Sequence, residues 1–198
     1  MLKRFTDCII AIIGLILFLP ILLVVAILIK LDSEGPIFFK QSRVGRYNVD
    51  FKIFKFRTMS VDSEKKGFLT IGGRDPRVTK IGYFLRKSKL DELVQLINVV
   101  LGDMSFVGPR PEIRDYVKLY TEEQMKVLNV RPGITDLASI EYINENELLF
   151  EQDEPNKFYI DVIMPKKLEI NLKYLEKRNL LKDFIVVLKT FKAIFLLV

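Results

Sequence analysis

Two adjacent carboxylates, Asp91 and Glu92, lie close along the chain to a group of cations. These cations are Lys80, Arg86, Lys87 and Lys89, followed later by Arg110 and Arg131, each beside a proline. The chain has no His, so nucleophilic or acid–base chemistry must use carboxylates, Lys, Tyr or hydroxyl groups. Metal-assisted phosphoryl transfer requires carboxylates that bind Mg²⁺ or act as nucleophile, and guanidinium groups that offset phosphate charge. The combination therefore indicates phosphoryl transfer.

The same two acids also have a purely structural interpretation. Ser88 precedes Asp91 by three residues, which is the spacing of a capping box, and acids in a first turn complement the helix dipole. Each isolated Arg is ordinarily a solvated surface charge. A non-catalytic scaffold, which after the resemblance given below would be a membrane scaffold in an assembly complex, is therefore an alternative, in which Asn or Ser at positions 91 and 92 preserves function.

Hydrophobic periodicity indicates the elements that must position these groups. An amphipathic helix is predicted from Ser88 to Val100, so that both acids lie in its first turn. Alternating apolar and basic residues on both sides of a turn at 45–48 predict a β-hairpin over 36–59. The rest of the pattern predicts a loop at 60–78, helices at 79–87, 112–129, 164–177 and 180–198, and an acidic irregular segment at 141–160.

An uncharged apolar segment of 22 residues occupies positions 8–29, long enough to cross a bilayer at about 1.5 Å per residue. Pro20 divides it into two short arms and predicts a kink. Basic residues flank both ends, which suits a hairpin that enters and leaves by one face, but the residues alone favour a kinked full span, because Pro is tolerated in spanning helices. Cys8, the single cysteine, excludes a disulfide within the chain.

The charge balance limits the partners. The chain has 31 Lys and Arg against 25 Asp and Glu, a net charge of +6, which favours an anionic partner such as a membrane surface, a phosphate ligand or nucleic acid. Interspersed acids and the prolines around Arg110 argue against nucleic acid, whose binding would depend steeply on salt. The last helix is mostly apolar, which fits either a helix in the membrane interface or a packed terminal helix.

Five motifs give the chain a family resemblance. They are KFRTM at 55–59, DPRVTKIG at 75–82, LDELVQLINV at 90–99, GDMSFVGPRP at 102–111 and RPGIT at 131–135. In this order they resemble the bacterial sugar transferases, the monotopic polyprenyl-phosphate hexose-1-phosphate transferases, in their small phosphoglycosyl transferase form. The resemblance implies an α+β, mostly helical fold, with a re-entrant membrane helix broken at Pro20 over 1–31 and a cytoplasmic, membrane-associated catalytic domain over 32–198.

The resemblance also implies a reaction. Such an enzyme transfers a sugar 1-phosphate from a UDP-sugar to undecaprenyl phosphate at the cytoplasmic face of the inner membrane. Asp91 would form a covalent phosphosugar intermediate with release of UMP, and Glu92 would help to hold Mg²⁺, with Asp91 as the other metal ligand. The product would enter a surface glycan pathway such as capsule or O-antigen synthesis, through downstream glycosyltransferases.

The phosphate-binding residues implied by these motifs are Lys55, Arg57, Arg86, Arg110 and Arg131. Two departures from the family pattern stand out. Asp136 and Ser139 replace the usual Gly and Gln after the RPGIT motif, a change that bears on which sugar is transferred. Val94 stands where Pro is common, a change expected to alter only the local geometry of the helix.

Overall fold

The fold is that of a computed structural model, which describes residues 2–61, 63 and 75–197. Helices dominate it, as predicted, and the strands form two small sheets. The helices are α1 (Leu2–Asp32), α2 (Lys80–Lys87), α3 (Leu96–Leu101), α4 (Arg114–Val117), α5 (Glu122–Met125), α6 (Leu137–Glu141), α7 (Glu145–Phe150), α8 (Pro155–Phe158), α9 (Met164–Glu176) and α10 (Leu180–Leu197). The strands are β1 (Phe38–Val44), β2 (Asp50–Phe56), β3 (Ser105–Val107) and β4 (Gly133–Thr135).

Helix α1 contains the predicted apolar segment and is long and apolar enough to cross a membrane by length and composition. The break at Pro20 that the resemblance implies is not present: the helix lacks one backbone donor there but continues to Asp32. One side of the helix packs into the protein through Ala11, Val25 and Ile29, which are at most 5% exposed. The other side is an apolar face open to the surroundings, formed by Ile9, Ile12, Ile13, Ile16, Leu17, Leu19, Leu23, Val24, Ile27 and Leu31.

Both ends of α1 contact the same folded domain. Near its start, Arg4 Nη2 donates to the Val100 carbonyl at 2.9 Å. At its end, the Ile81 backbone N–H donates to Asp32 Oδ2 at 3.2 Å. A helix held at both ends by one domain cannot place those ends on opposite sides of a bilayer unless the domain crosses as well.

The predicted hairpin is confirmed: β1 and β2 pair antiparallel around a 3₁₀ turn at Arg46–Asn48. Its register places Phe39 opposite Lys55 and Arg43 opposite Phe51. Directly opposed residues in an antiparallel pair share a face of the sheet. Arg43 and Lys55 therefore lie on one face, together with Gln41 between them.

The predicted helix from Ser88 to Val100 is wrong at its start. Ser88 is the C-cap of α2, and its Oγ donates to the Phe84 carbonyl at 2.8 Å, so it forms no capping box with Asp91. Lys89 then adopts a left-handed conformation with φ of 57°, and a 3₁₀ helix over Leu90–Gln95 leads into α3. Two helical directions meet at this sharp turn, which local periodicity does not predict.

The single helix predicted over 112–129 is also wrong, because the chain turns twice there. Helix α4 is followed by α5, which has a capping box of its own between Thr121 and Gln124, and then by a 3₁₀ turn at Lys126–Asn129.

Strands β3 and β4 pair in parallel, Ser105 with Gly133 and Val107 with Thr135. This pairing holds the loop that carries Arg110 against the chain leading into α6.

The two C-terminal helices agree with the predictions at 164–177 and 180–198 to within the described residues. Helix α10 packs against the domain on one side only, and its predicted position in a membrane interface stays a prediction. Its Val186 is 2% exposed and packs with Val107 and Tyr174, whereas Leu181, Phe184, Leu188, Phe191 and Phe195 are exposed. A second apolar face, comparable with that of α1, therefore remains uncovered.

Candidate active site

The two acids of the sequence motif lie in the 3₁₀ helix that begins directly after Lys89. Asp91 is 6% exposed, and its Oδ1 is buried with no hydrogen-bond partner among the described residues. A buried carboxylate oxygen without a partner loses hydration without compensation. Such a group is expected at a reactive position rather than at a helix cap.

Glu92 is held by two cations from different parts of the chain. Lys55 Nζ, from β2, donates to Glu92 Oε1 at 2.8 Å. The guanidinium of Arg110 contacts both carboxylate oxygens, donating from Nη1 to Oε2 at 3.1 Å and from Nη2 to Oε1. Glu92 thereby fixes the positions of two cations directly beside Asp91.

The surroundings move the pKa values of the two acids in opposite directions. Burial and the neighbouring charge of Glu92 raise the pKa of Asp91 to about 6, against the attraction of Lys55, Arg86 and Lys89. Burial also opposes the charged form of Glu92, but Arg110 and Lys55 outweigh it and hold the pKa of Glu92 well below its usual range. Glu92 is therefore a permanent anion, while Asp91 changes its charge near pH 6.

Arg86 reaches the same site from the last turn of α2. Its Nε donates to Thr58 Oγ1 at 2.9 Å, and it contributes to the electrostatic environment of Asp91. Helix α2 can approach Thr58 because residue 82 is glycine: a Cβ there would lie 2.0 Å from the Thr58 carbonyl oxygen. The close approach of α2 thus sets the position of Arg86.

Asp136, one of the two departures from the family pattern, supports Arg110. Asp136 Oδ2 accepts from the Arg110 backbone N–H at 2.7 Å, and Oδ1 accepts from the Ser139 N–H, so that Asp136 caps the start of α6. It is 0% exposed. In this structure Asp136 holds the loop that carries Arg110.

Two of the predicted phosphate-binding residues have structural partners elsewhere. Arg57 Nη2 donates to the Ser33 carbonyl at 2.6 Å, next to the end of α1, although Arg57 still borders the cleft described below. Arg131 Nε donates to the Gly102 carbonyl at 2.7 Å, after the end of α3. The structure thus brings Lys55, Arg86 and Arg110 close to Asp91 and Glu92. Arg131 instead lies beyond the C-terminal end of α3. Their binding of phosphate stays a prediction.

A cleft of about 1410 Å³ opens over Asp91 and Glu92. It continues between α1 and α10, where its lining is apolar and includes Ile10, Phe18, Phe184 and Phe191. Among the described residues there is no group of three or more His, Cys, Asp or Glu side chains that could hold a metal ion by themselves. The cleft therefore joins a charged pocket to an apolar groove.

The sequence analysis missed a second set of polar residues in this cleft. They are Gln41, Arg43, Glu112, Glu145, Tyr159 and Lys167. The alternation of β1 offered a signal for the first two, because it places them on the face that carries Lys55. The other four lie on separate elements, and no local pattern connects them.

Comparisons with known proteins identify the family of the chain. A family model described as bacterial sugar transferase matches residues 1–196. The UDP-N-acetylgalactosamine-undecaprenyl-phosphate N-acetylgalactosaminephosphotransferase of Aeromonas hydrophila is 38% identical over 200 residues, which cover 97% of this chain and 43% of that protein. The UDP-glucose:undecaprenyl-phosphate glucose-1-phosphate transferase of Escherichia coli (strain K12) is 39% identical over 197 residues, 98% of this chain and 40% of that protein.

A third relative is closer in length. The exopolysaccharide production protein ExoY of Rhizobium meliloti is 33% identical over 209 residues, which cover 98% of this chain and 85% of that protein. The chain thus spans less than half of the first two relatives and most of the third. The match of the family model along nearly the whole sequence, with these relatives, leads to one conclusion: the chain belongs to the bacterial sugar transferase family.

Proposed function

We propose that this chain transfers a sugar 1-phosphate from a UDP-sugar to undecaprenyl phosphate, with release of UMP. The observation that carries the proposal is the buried Asp91, with one unpartnered oxygen, beside cations that Glu92 holds in place. The names of the relatives, which include both glucose and N-acetylgalactosamine donors, support the reaction class. The donor sugar stays open.

The first half-reaction uses Asp91 as nucleophile. An Oδ of the ionised carboxylate attacks the β-phosphorus, the bond from that phosphorus to the bridging oxygen breaks, and UMP leaves with the electron pair. Arg110, Lys55 and Arg86 offset the charge of the phosphoryl oxygens without having to move, because Glu92 and Thr58 already position them.

In the second half-reaction the lipid phosphate takes the place of UMP. One of its oxygens attacks the same phosphorus, the bond between Asp91 and phosphorus breaks, and the carboxylate is regenerated. The product is a polyprenyl diphosphate sugar, the substrate for downstream glycosyltransferases in a surface glycan pathway. The apolar groove between α1 and α10 supports this step, since it leads from the charged pocket to the two exposed apolar faces.

The residues present fit a Mg²⁺ ion shared with substrate. Asp91 Oδ1 has no partner among the described residues, and Glu92 Oε2, which accepts from Arg110 Nη1, keeps a second lone pair, whereas Oε1 already accepts from both Lys55 and Arg110. Mg²⁺ commonly binds one or two carboxylates together with phosphates and water. Asp91 and Glu92 would hold it, and when bound it would neutralise phosphate charge.

A covalent intermediate makes the proposal testable without acceptor. Membranes that contain the protein are incubated with Mg²⁺ and UDP-sugars labelled at the β-phosphate. With a suitable donor we expect release of UMP and up to one label per chain, and undecaprenyl phosphate should then remove the label from the protein. UMP release that requires the lipid acceptor from the outset would contradict a covalent intermediate.

The raised pKa of Asp91 predicts the pH dependence of the first half-reaction. The nucleophile must be ionised, and burial together with Glu92 raises its pKa to about 6 in the free protein. We therefore expect kcat/KM for UMP release to fall about tenfold per pH unit below about 6 and to be level just above it. An initial-rate series from pH 5 to 8 measures this, and a level profile down to pH 5 would contradict a pKa near 6 for the attacking group during turnover.

We also propose that α1 is re-entrant and that the site faces the cytoplasm, where UDP-sugars are made. Contacts from both ends of α1 to one domain support this topology. Leu2 and Leu31 are 64% and 79% exposed, so single cysteines there, in a Cys8→Ser background, should be accessible to a reagent. In intact cells an impermeant maleimide should label neither, and after permeabilisation it should label both.

The control for this labelling is a cysteine at Glu123, on exposed surface of the domain. It should follow the same pattern as positions 2 and 31. Labelling of one end of α1 from outside, with the other end protected, would mean that the helix spans the membrane.

A further inference from the structure

A second polar cluster lines the cleft beside the acid pair. We call it the paired wall; it consists of Arg43, Glu112, Glu145, Tyr159 and Lys167. Arg43 Nη1 lies 3.5 Å from Glu112 Oε2, and the Tyr159 hydroxyl donates to Glu112 Oε1 at 2.5 Å. Lys167 Nζ donates to Glu145 Oε2 at 2.7 Å and lies 5.7 Å from the centre of the Tyr159 ring. One continuous set of contacts thus joins the hairpin to the four segments that carry Glu112, Glu145, Tyr159 and Lys167.

The paired wall differs from the acid pair in its charge balance. Each of its two cations has an acid of its own, so its formal charges cancel. The two acids Asp91 and Glu92, by contrast, lie among three cations, Lys55, Arg86 and Arg110. A surface without net charge has no particular attraction for phosphate. Fixed carboxylate, guanidinium, ammonium and phenol groups instead offer donors and acceptors for a neutral ligand that carries hydroxyl or amide groups.

The location of the paired wall indicates which part of a substrate reaches it. Glu112 follows Arg110 by two residues in the chain, and Arg43 Nη1 donates to the carbonyl of the intervening Pro111 at 3.3 Å. The paired wall is therefore adjacent to Arg110, one of the cations proposed to bind phosphate. In addition, Ser139 lines the cleft, and its buried Oγ has no hydrogen-bond partner among the described residues.

We infer that the paired wall binds the sugar ring of the nucleotide-sugar donor, and that Glu112 and Tyr159 determine which sugar is accepted. This inference rests on the proposed function. A sugar attached to the β-phosphate lies within one bond of the group that Arg110 binds. Tyr159 is only 2% exposed, so its ring has no free face on which a base could stack. Its hydroxyl donates a hydrogen bond to Glu112 and so fixes the orientation of that carboxylate. A site built to pair with a particular hydroxyl discriminates strongly against donors that lack it.

The test compares donor selectivity with nucleotide affinity. Glu112→Gln and Tyr159→Phe are made in the full chain, and UMP release is measured with UDP-glucose, UDP-N-acetylglucosamine and UDP-N-acetylgalactosamine. Affinity for UDP, which has no sugar, is measured in parallel. We expect the ratio of kcat/KM between the best donor and the next to change by about tenfold or more in at least one variant. UDP affinity should stay within about twofold, because the variants leave the phosphate-binding cations intact.

A selectivity ratio is independent of the fraction of folded protein, so partial misfolding cannot mimic the expected result. Glu123→Gln, in an exposed pair with Lys126, is the matched control and should change neither quantity. Loss of UDP affinity in step with kcat/KM would assign the wall to the nucleoside and overturn the inference. An unchanged ratio, with all donors slowed equally, would overturn it as well. Failure of the wild type with every donor would instead overturn the proposed function.

Discussion

Asp91→Asn is expected to lower UMP release by at least about 1,000-fold, because the amide oxygen is a far weaker nucleophile than the carboxylate. The covalent label from a β-phosphate-labelled donor should disappear as well. Asp115→Asn is the matched control: Asp115 forms an exposed pair with Lys118, and its loss should leave the rate within about twofold. Wild-type UMP release by Asp91→Asn would show that Asp91 is not the nucleophile.

The same variant should also change how thermal stability depends on pH, which a variant that simply fails to fold would not show. The pKa of Asp91 is raised to about 6 in the folded protein, so folding favours its protonated form. The contribution of ionised Asp91 to stability is therefore unfavourable above pH 6 and vanishes below its unfolded pKa of about 4. Asp91→Asn should be more thermostable relative to wild type at pH 8 than at pH 4, as a thermal unfolding series in detergent would measure.

Arg110→Ala is expected to impair folding and turnover together. It removes both guanidinium contacts to Glu92 and leaves that buried carboxylate with Lys55 alone. Breaking a pair of this kind costs about 2–4 kcal/mol of unfolding free energy, and loss of an aligned cation at a phosphoryl group lowers the rate by about 100-fold or more. Arg110→Lys should recover only part of both, because an ammonium group cannot contact two oxygens in the same way.

Controls separate the two effects of Arg110. Arg114→Ala removes an Arg in the neighbouring helix α4 whose pair with Asp50 is largely exposed, and it should cost less than about 1 kcal/mol. The double variant Arg110→Ala with Glu92→Gln removes the unpaired carboxylate, so it should regain stability but not activity. Recovery of UMP release in the double variant would show that Arg110 serves the fold only.

Local sequence patterns predicted those elements whose conformation depends on residues close together along the chain. The hairpin around 45–48, α2 and the apolar α1 follow from alternation, periodicity and length. The left-handed Lys89, by contrast, lies between α2 and the 3₁₀ helix over Leu90–Gln95, two segments that pack in one cluster through Leu85 and Val94, and no local signal marks it. The same is true of the turns within 112–129, where tertiary contacts to α9 replace one helix by shorter ones.

The residues of the candidate site also separate into those that local motifs predict and those that only tertiary contacts bring together. Asp91, Glu92 and Arg110 were predictable because their chemistry is concentrated in short motifs. Glu112, Tyr159 and Lys167 were not, since Tyr159 lies 47 positions from the Glu112 that it contacts, and no motif connects the two. Arg131 belongs to a motif, but its guanidinium ends on the Gly102 carbonyl, which only the tertiary structure reveals.

The attachment of α1 at both of its ends has a consequence for how the protein can be divided. Ala11 packs with Leu96 and Val99, and Val25 and Ile29 pack with Phe56, Leu85 and Val94, so that α1 completes two of the apolar clusters inside the domain. The anchor and the domain thus form one cooperative unit. A version truncated before residue 33, designed as a soluble catalytic fragment, would leave those clusters open to water and would aggregate rather than fold as an independent enzyme.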